Sequence, residues 1–206
     1  MQNVAVIDYG LCNLDSVVRA VEKLGSTAVC TYDAGDIGNA THMILPGVGA
    51  FPDAMSNIRE RGIDTILRKR VDAGVPLLGI CLGMQLLASK GYEGRETEGL
   101  GYIPGAVRRL LPVDGARIPH VGWNEVHEKQ SSPLFTDLAS GQDFYFVHSF
   151  HLIPEHAGDI LAVTPYCGEF VSVVGHGNVF GTQFHPEKSQ KPGFALLSNF
   201  LAMHHA

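Results

Sequence analysis

Val75-Pro76-Leu77-Leu78-Gly79-Ile80-Cys81-Leu82-Gly83-Met84-Gln85-Leu86-Leu87 decides how the chain folds. The almost wholly apolar run from Val75 to Ile80 reads as a strand buried on both faces. From Leu82 to Lys90 the residues are apolar helix formers, which predicts a helix with no loop between it and the strand. Cys81 therefore sits on the corner. Gly79 and Gly83 flank it as G-x-C-x-G, the thiol version of a nucleophile elbow, in which a sharp strand-to-helix turn lifts one side chain above the sheet edge. Small neighbours are needed because the turn is crowded and its central backbone is strained. A helix N-terminus at that corner would also favour the attacking thiolate. Taken alone, Cys81 is equally well explained as a small buried hydrophobe. The rest of the chain has to decide.

On the N-terminal side, Val4-Ala5-Val6-Ile7 reads as a strand ending at Asp8-Tyr9-Gly10. Ser16 to Leu24 carries apolar residues at helical spacing and is stopped by Gly25. Strands are predicted at Thr27–Thr31 and His42–Leu45, separated by a short, polar, glycine-containing segment. Pro52 suits the first position of a helix through about Arg61, and Ile63 to Ala73 continues as helix, closed by Gly74. Strands alternating with helices at this interval imply right-handed crossovers and a parallel sheet. Pro46-Gly47-Val48-Gly49 and the Cys81 turn both follow strands, and loops at the carboxyl ends of parallel strands are where open α/β folds bind ligands. A glycine-rich turn can aim N–H groups at an anion, so this loop and the N–H of Leu82 could form an oxyanion hole. In isolation the loop is also an ordinary strand-to-helix turn, and it lacks the G-x-x-x-x-G-K-[ST] phosphate pattern.

After Gly91 the texture changes to glycine, proline and short β-rich runs: Ala106–Leu110, Val121–Val126, Asp143–Leu152, Ile160–Val163, Phe170–Val174 and Asn178–Phe184. These are too closely spaced for helical crossovers, so antiparallel additions are expected, with a hairpin turning at Gly175-His176-Gly177-Asn178. Phe194, Leu197, Phe200 and Leu201 form one face of a closing helix, and His204-His205 reads as a frayed tail. The last hairpin strand delivers Gln183-Phe184-His185-Pro186-Glu187. Pro186 biases His185 toward extended backbone, where residues two apart share a side. His185 and Glu187 can thus be neighbours, giving an imidazole with a carboxylate to fix its tautomer and steady its charged form. That is what a thiol nucleophile needs from a base.

The chain of 206 residues is expected to form a single domain over 1–206, an α/β fold with an open, mostly parallel sheet, helices on both faces and antiparallel additions. A net charge of -6 supplies no basic stripe for nucleic acid. Met1-Gln2-Asn3 carries no basic leader and no apolar stretch is long enough to span a bilayer, so the cytoplasm is the expected location. Cys12, Cys30, Cys81 and Cys167 show no C-x-x-C pairing, and neither a metal site, a disulfide framework nor a cofactor is expected.

Pro46-Gly47-Val48-Gly49, Gly79-Ile80-Cys81-Leu82-Gly83-Met84-Gln85 and Phe184-His185-Pro186-Glu187 together resemble the three signature segments of the triad, or class I, glutamine amidotransferases. Within that family the chain is similar to the glutaminase subunits of imidazole glycerol phosphate synthase. The narrowing segments are Asp8-Tyr9-Gly10-Leu11-Cys12-Asn13-Leu14, Pro119-His120-Val121-Gly122-Trp123-Asn124 and Tyr145-Phe146-Val147-His148-Ser149-Phe150. Cys12 departs from the small or different residue common in the family, without touching a catalytic role. The resemblance implies that Cys81 attacks glutamine, His185 serves as acid and base, and Glu187 orients it. It implies an oxyanion hole from the N–H of Val48 or Gly49 and of Leu82. Gln85 with Gly49 and the backbone at Ser149 and Phe150 would hold the substrate's amino-acid end. It also implies a separate cyclase subunit with a (β/α)₈ barrel as the ammonia acceptor, docked near Asn13, Trp123, Asn124, Tyr145 and Lys188.

Other readings compete. A stand-alone hydrolase of the same fold, such as a γ-glutamyl hydrolase, or a glutaminase of another pathway would share the triad. A non-catalytic binding subunit would not need Cys81, His185 and Glu187 intact. Trp123, the one tryptophan, reads as readily as core as it does as interface.

Overall fold

The computed structural model describes residues 2–12, 14–113 and 115–203. Its first half runs β1 (Asn3–Ile7), α1 (Leu14–Lys23), β2 (Thr27–Thr31), α2 (Ala34–Asn39), β3 (His42–Leu45), α3 (Phe51–Glu60), α4 (Ile63–Asp72), β4 (Leu77–Ile80) and α5 (Leu82–Leu86). The second half is strand-rich: β5 (Ala88–Gly91), β6 (Thr97–Glu98), β7 (Ile103–Arg109), β8 (His120–Glu128), β9 (Gln142–His148), β10 (Phe150–Pro154), β11 (Ile160–Thr164), β12 (Phe170–His176) and β13 (Val179–Thr182), closed by α6 (Gln190–Leu201).

Among the described residues one sheet has the order β2-β1-β3-β4-β13-β12-β11-β8-β9. Pairing is parallel from β2 to β13 and antiparallel from β13 to β9. Alternate side chains of β1 explain why helices flank both faces. Ala5 and Ile7 join a core with Ile37, Phe51, Ile58, Ile63 and Leu67 of α2, α3 and α4. Val4 and Val6 join another with Val17 and Val21 of α1 and Leu197 and Phe200 of α6. Burial on both sides is why β1, β3 and β4 read as continuous apolar runs.

One pairing places the site. β13 lies parallel to β4 with Gly181 opposite Gly79 and Thr182 opposite Ile80, and the Cys81 N–H donates to the Thr182 carbonyl at 2.8 Å. The chain leaving β13 therefore passes beside the chain leaving β4, at the same sheet edge.

Three local expectations are corrected. The helix predicted to Lys90 stops at Leu86, and the chain re-enters a strand at Ala88. Carbonyls that would have continued the helix are taken instead: Leu86 accepts from Leu100 N–H, Leu87 from Tyr102 and Ile103, and Ala88 from Gly101. The run Asp143–Leu152 is two strands in two sheets, β9 in the large one and β10 in a second sheet ordered β10-β7-β5-β6. The polar segment before β3 contains α2, whose Asp33 cap accepts from the N–H groups of Gly35 and Asp36. The hairpin β12–β13 forms as predicted, with Val174 opposite Gly181. Asn13 and His204-His205 lie outside the described residues.

Candidate active site

Cys81 stands between β4 and α5 at φ 56 and ψ -110, a region rarely entered by a residue with a side chain. Such a conformation costs on the order of 1–3 kcal/mol and persists only where the surroundings impose it. The two glycines of G-x-C-x-G show how. A Cβ on Gly79 would lie 2.7 Å from the backbone of Gly83 and Met84, and one on Gly83 would lie 1.7 Å from the Leu45 carbonyl oxygen. The elbow can pack against β3 only without those side chains.

The base arrives from β13. His185 Nδ1 meets Glu187 Oε1 at 2.8 Å, and the side chains are 4% and 2% exposed. Burial alone would lower the His185 pKa, but the neighbouring Cys81 sulfur and the Glu187 carboxylate outweigh it and raise it to about 9. His185 is therefore charged at neutral pH. Its Nε2 is buried without a hydrogen-bond partner, so Cys81 Sγ acts on it as a close neighbour and not through a formed hydrogen bond. The His185 backbone is pinned as well: its N–H donates to the Tyr145 carbonyl at 2.9 Å, and its carbonyl accepts from Ser189 Oγ at 2.6 Å. Ser189 Oγ in turn accepts from the Tyr145 N–H at 3.0 Å.

Gln85, one turn beyond Cys81, is 5% exposed and not a solvated helix residue. Its Nε2 donates to the Phe150 carbonyl at 2.8 Å and to Gln183 Oε1 at 3.1 Å. Both amide protons are thereby used, leaving Oε1 as the group that can accept from a ligand N–H. Gln183 was missed from the sequence. It is fully buried, and its Nε2 approaches Cys81 Sγ at 3.9 Å. The period-two argument that pairs His185 with Glu187 also puts Gln183 on the side of His185, so the signal was present.

The expected contacts at Ser149 and Phe150 are altered. The Ser149 carbonyl accepts from the Leu110 N–H at 2.9 Å. The Phe150 carbonyl accepts from Gln85 and also from His148 Nδ1 at 2.8 Å, so neither of its lone pairs remains for a substrate. The loop at Val48 is altered too. Its N–H donates to the Leu11 carbonyl at 2.9 Å, so in this arrangement it is engaged and not offered to an oxyanion. Gly49 follows with φ +110, a conformation open to glycine, and Leu82 opens α5 directly after the nucleophile. Tyr9, fully buried, braces the loop by donating its hydroxyl to the Pro46 carbonyl at 2.8 Å. Cys12 sits beside the same carbonyl at 3.5 Å, and burial pushes its thiol up to about 11, which keeps it protonated and out of competition with Cys81.

The residues assigned to a docking face divide differently. Trp123 is 48% exposed, so the core reading is wrong, and it meets Tyr145 edge-on at 5.9 Å across the β8–β9 pair. Val121 and Val147, opposite each other in the same ladder, are also exposed. Asn124 turns the other way, donating to the Pro165 carbonyl and approaching His120. Lys188 ends the single turn Pro186–Lys188 beside the base. Among the described residues no group of three or more His, Cys, Asp or Glu is placed to hold a metal ion.

A family model described as glutamine amidotransferase class-I matches residues 5–203. The imidazole glycerol phosphate synthase subunit HisH of Moorella thermoacetica is 46% identical over 200 residues, covering 97% of this chain and 94% of that one. The HisH subunit of Aquifex aeolicus is 46% identical over 196 residues, covering 95% and 94%. Among solved structures, a crystal structure of a glutamine amidotransferase superposes with a TM-score of 0.76 at 22% identity, covering 97% and 98%, and the PurLQS structure from Thermotoga maritima gives 0.75 at 21%, covering 98% of each chain. These two likenesses speak to the fold alone. By the extent and level of the sequence matches, the chain belongs to the class I glutamine amidotransferase family, and within it to the HisH subunits of imidazole glycerol phosphate synthase.

Proposed function

We propose that the chain hydrolyses glutamine to glutamate and ammonia and passes the ammonia to a cyclase subunit, with Cys81, His185 and Glu187 as the catalytic triad. The observation that carries this reading is the strained corner at Cys81 with a buried His185–Glu187 pair held against it by the β4–β13 pairing. Cys81 Sγ, whose own proton is the one held on His185, attacks the side-chain amide carbon of glutamine. The proton held on His185 goes to the departing nitrogen, and ammonia leaves with the thioester formed. His185, now neutral, takes a proton from water, whose oxygen attacks the thioester, and glutamate is released with Cys81 Sγ set free beside the again protonated His185. Glu187 fixes the imidazole so that Nε2 faces the reaction. The N–H groups of Leu82 and Gly49 stabilise the oxyanion, and the Val48 N–H joins them once its bond to Leu11 breaks. Gln85 Oε1 accepts from the bound glutamine.

The cyclase is a (β/α)₈ barrel that builds imidazole glycerol phosphate and an aminoimidazole carboxamide ribotide from a ribulosyl nucleotide, a step of histidine biosynthesis in the cytoplasm. The whole chain acts as one domain. The apolar strip of Val121, Trp123, Tyr145 and Val147 supports a docked partner, because a stand-alone hydrolase has no need to expose it beside its base.

The test is glutamate release from glutamine by the purified chain, alone and then with the cyclase subunit and its nucleotide substrate. A low rate alone that rises steeply in the full mixture supports the reading, and a high rate indifferent to both additions overturns it. Cys81→Ala is expected to abolish glutamine-dependent synthesis and spare synthesis from ammonium salt.

A further inference from the structure

Two buried histidines lie behind the site with no part in the triad. His120 is 3% and His148 6% exposed, on neighbouring strands β8 and β9. His120 Nδ1 meets His148 Nε2 at 3.1 Å, and His148 Nδ1 meets the Phe150 carbonyl at 2.8 Å. At the outer end, Asn124 Nδ2 approaches His120 Nε2 at 3.3 Å.

The direction of every bond follows from the ends. Asn124 Oδ1 accepts from the Glu125 N–H at 2.9 Å, and Nδ2 donates to the Pro165 carbonyl at 3.3 Å, which fixes the amide so that Nδ2 faces His120. His120 Nε2 is then the acceptor, so a neutral His120 carries its proton on Nδ1 and donates to His148. The Phe150 oxygen can only accept, so His148 also carries its proton on Nδ1. Both rings are neutral, in agreement with burial, which lowers the pKa of His120 to about 4 and of His148 to about 3. From Phe150 the chain continues: its carbonyl accepts from Gln85, Gln85 donates to Gln183, and Gln183 Nε2 points at Cys81 Sγ.

We propose that His120 and His148 are positioning residues for glutamine hydrolysis: a one-directional chain of hydrogen bonds from Asn124 holds the Phe150 carbonyl, and through it the Gln85 and Gln183 amides, in the geometry that receives the substrate. The proposal rests on the glutaminase reading. Because the Phe150 oxygen is shared by His148 and Gln85, a shift of the imidazole moves the acceptor that orients Gln85, and with it the Oε1 offered to glutamine. The chain starts at Asn124, whose side chain turns to the face of β8 opposite the exposed Trp123.

Ring packing and hydrogen bonding can be separated at His120, which stacks on Tyr166 at 3.9 Å and on Phe146 at 4.8 Å. His120→Phe keeps the stacked ring and removes both bonds, whereas His120→Asn loses the ring and keeps a donor near the position of Nδ1. In the complete complex, His120→Phe is expected to raise the KM for glutamine about tenfold, the factor for one buried hydrogen bond lost with its partner left unpaired, while kcat changes by less than about threefold. His120→Asn is expected to restore most of the KM. An unchanged KM in His120→Phe, or a KM in His120→Asn no better than in His120→Phe, overturns the proposal. Should His120→Phe not fold, Asn124→Asp gives the same test, since a carboxylate can only accept and forces the His120 proton onto Nε2. Long-range proton–nitrogen spectra of the chain labelled at histidine should then show His120 and His148 both protonated on Nδ1 in the wild type, and His120 switched in Asn124→Asp with a raised KM. A wild-type His120 found protonated on Nε2, or a switched tautomer with an unchanged KM, refutes the chain. A wild-type complex that releases no glutamate refutes the glutaminase reading instead.

Discussion

Val48 donates its backbone N–H to the carbonyl of Leu11 at 2.9 Å, which ties the loop after β3 to the loop after β1 and keeps that N–H engaged. Cys81 and His185 are 7% and 3% exposed in the same arrangement. The candidate site is thus assembled but buried, with one proposed oxyanion donor engaged elsewhere. If partner loading releases that donor, the Val48 amide should exchange with solvent faster in the complex carrying the nucleotide substrate than in the free chain. The expected acceleration is about fivefold or more, the factor for one net hydrogen bond of about 1 kcal/mol. Residue-resolved hydrogen exchange of Val48 checks it, and equal protection in both states contradicts the rearrangement.

The proton on His185 carries a pH dependence with a defined sign. The folded pKa, about 9, lies above the value of about 6.5 for an unperturbed imidazole, so the folded state holds this proton more tightly than the unfolded chain. Stability from this group is fully present below about pH 6.5 and is lost as the pH rises through about 9. Glu187→Gln removes one of the two groups that raise the pKa against burial, so the loss should move to lower pH. Urea midpoints of wild type and Glu187→Gln from pH 6 to 10 measure this, and coincident profiles would remove Glu187 as the source.

Gly83→Ala would drive a methyl group to 1.7 Å from the Leu45 carbonyl oxygen, and neither backbone has a flexible end that can yield. A cost of about 3 kcal/mol or more is expected, at the upper end for an overpacked interior. For a chain of this size that lowers the Tm by roughly 6–12 °C. Thermal unfolding followed by circular dichroism is the measurement. A shift within error would mean that β3 and the elbow are less closely packed than the structure has them.

Trp123→Ala should leave the free chain's stability within about 0.5 kcal/mol, because the indole is half in solvent. It should weaken association with the cyclase by about 2 kcal/mol, roughly thirtyfold in Kd, as an aromatic anchor at an interface does. Urea unfolding followed by circular dichroism and titration calorimetry with the cyclase measure the two quantities in wild type and variant. A marked loss of stability with unchanged affinity would return Trp123 to a structural role.

Local chemistry made the triad legible before the fold was known. Gly79 and Gly83 around Cys81 mark a turn that few other residues can make, and His185-Pro186-Glu187 sets its own geometry through proline and a two-residue spacing. The failures share one cause. The helix expected to Lys90 ends at Leu86 because the carbonyls of Leu86, Leu87 and Ala88 accept from Leu100–Ile103, a pairing that no window around Leu87 contains. Trp123 could be assigned neither to core nor to surface, since its exposure depends on β8 and β9 ending the large sheet with one face open. Between Val48 and Gly49 the loop's sequence leaves the donor open, because a glycine-rich loop can aim either N–H, and the direction taken by Val48 is set by Leu11 on another strand's loop.

The sequence by itself determined the α/β class, a parallel sheet for the first strands, the elbow and the candidates for nucleophile, base and orienting carboxylate, since each rests on patterns among residues close in the chain. Only the tertiary structure decided that β13 pairs with β4, and that pairing is what sets His185 beside Cys81 across 104 positions of sequence. It alone buried Gln183 against the thiol, occupied the Phe150 carbonyl from both sides and lined His120 behind His148. Such choices depend on which distant backbone groups satisfy one another, and a hydrogen bond between residues far apart in sequence leaves no period or spacing for the sequence to display.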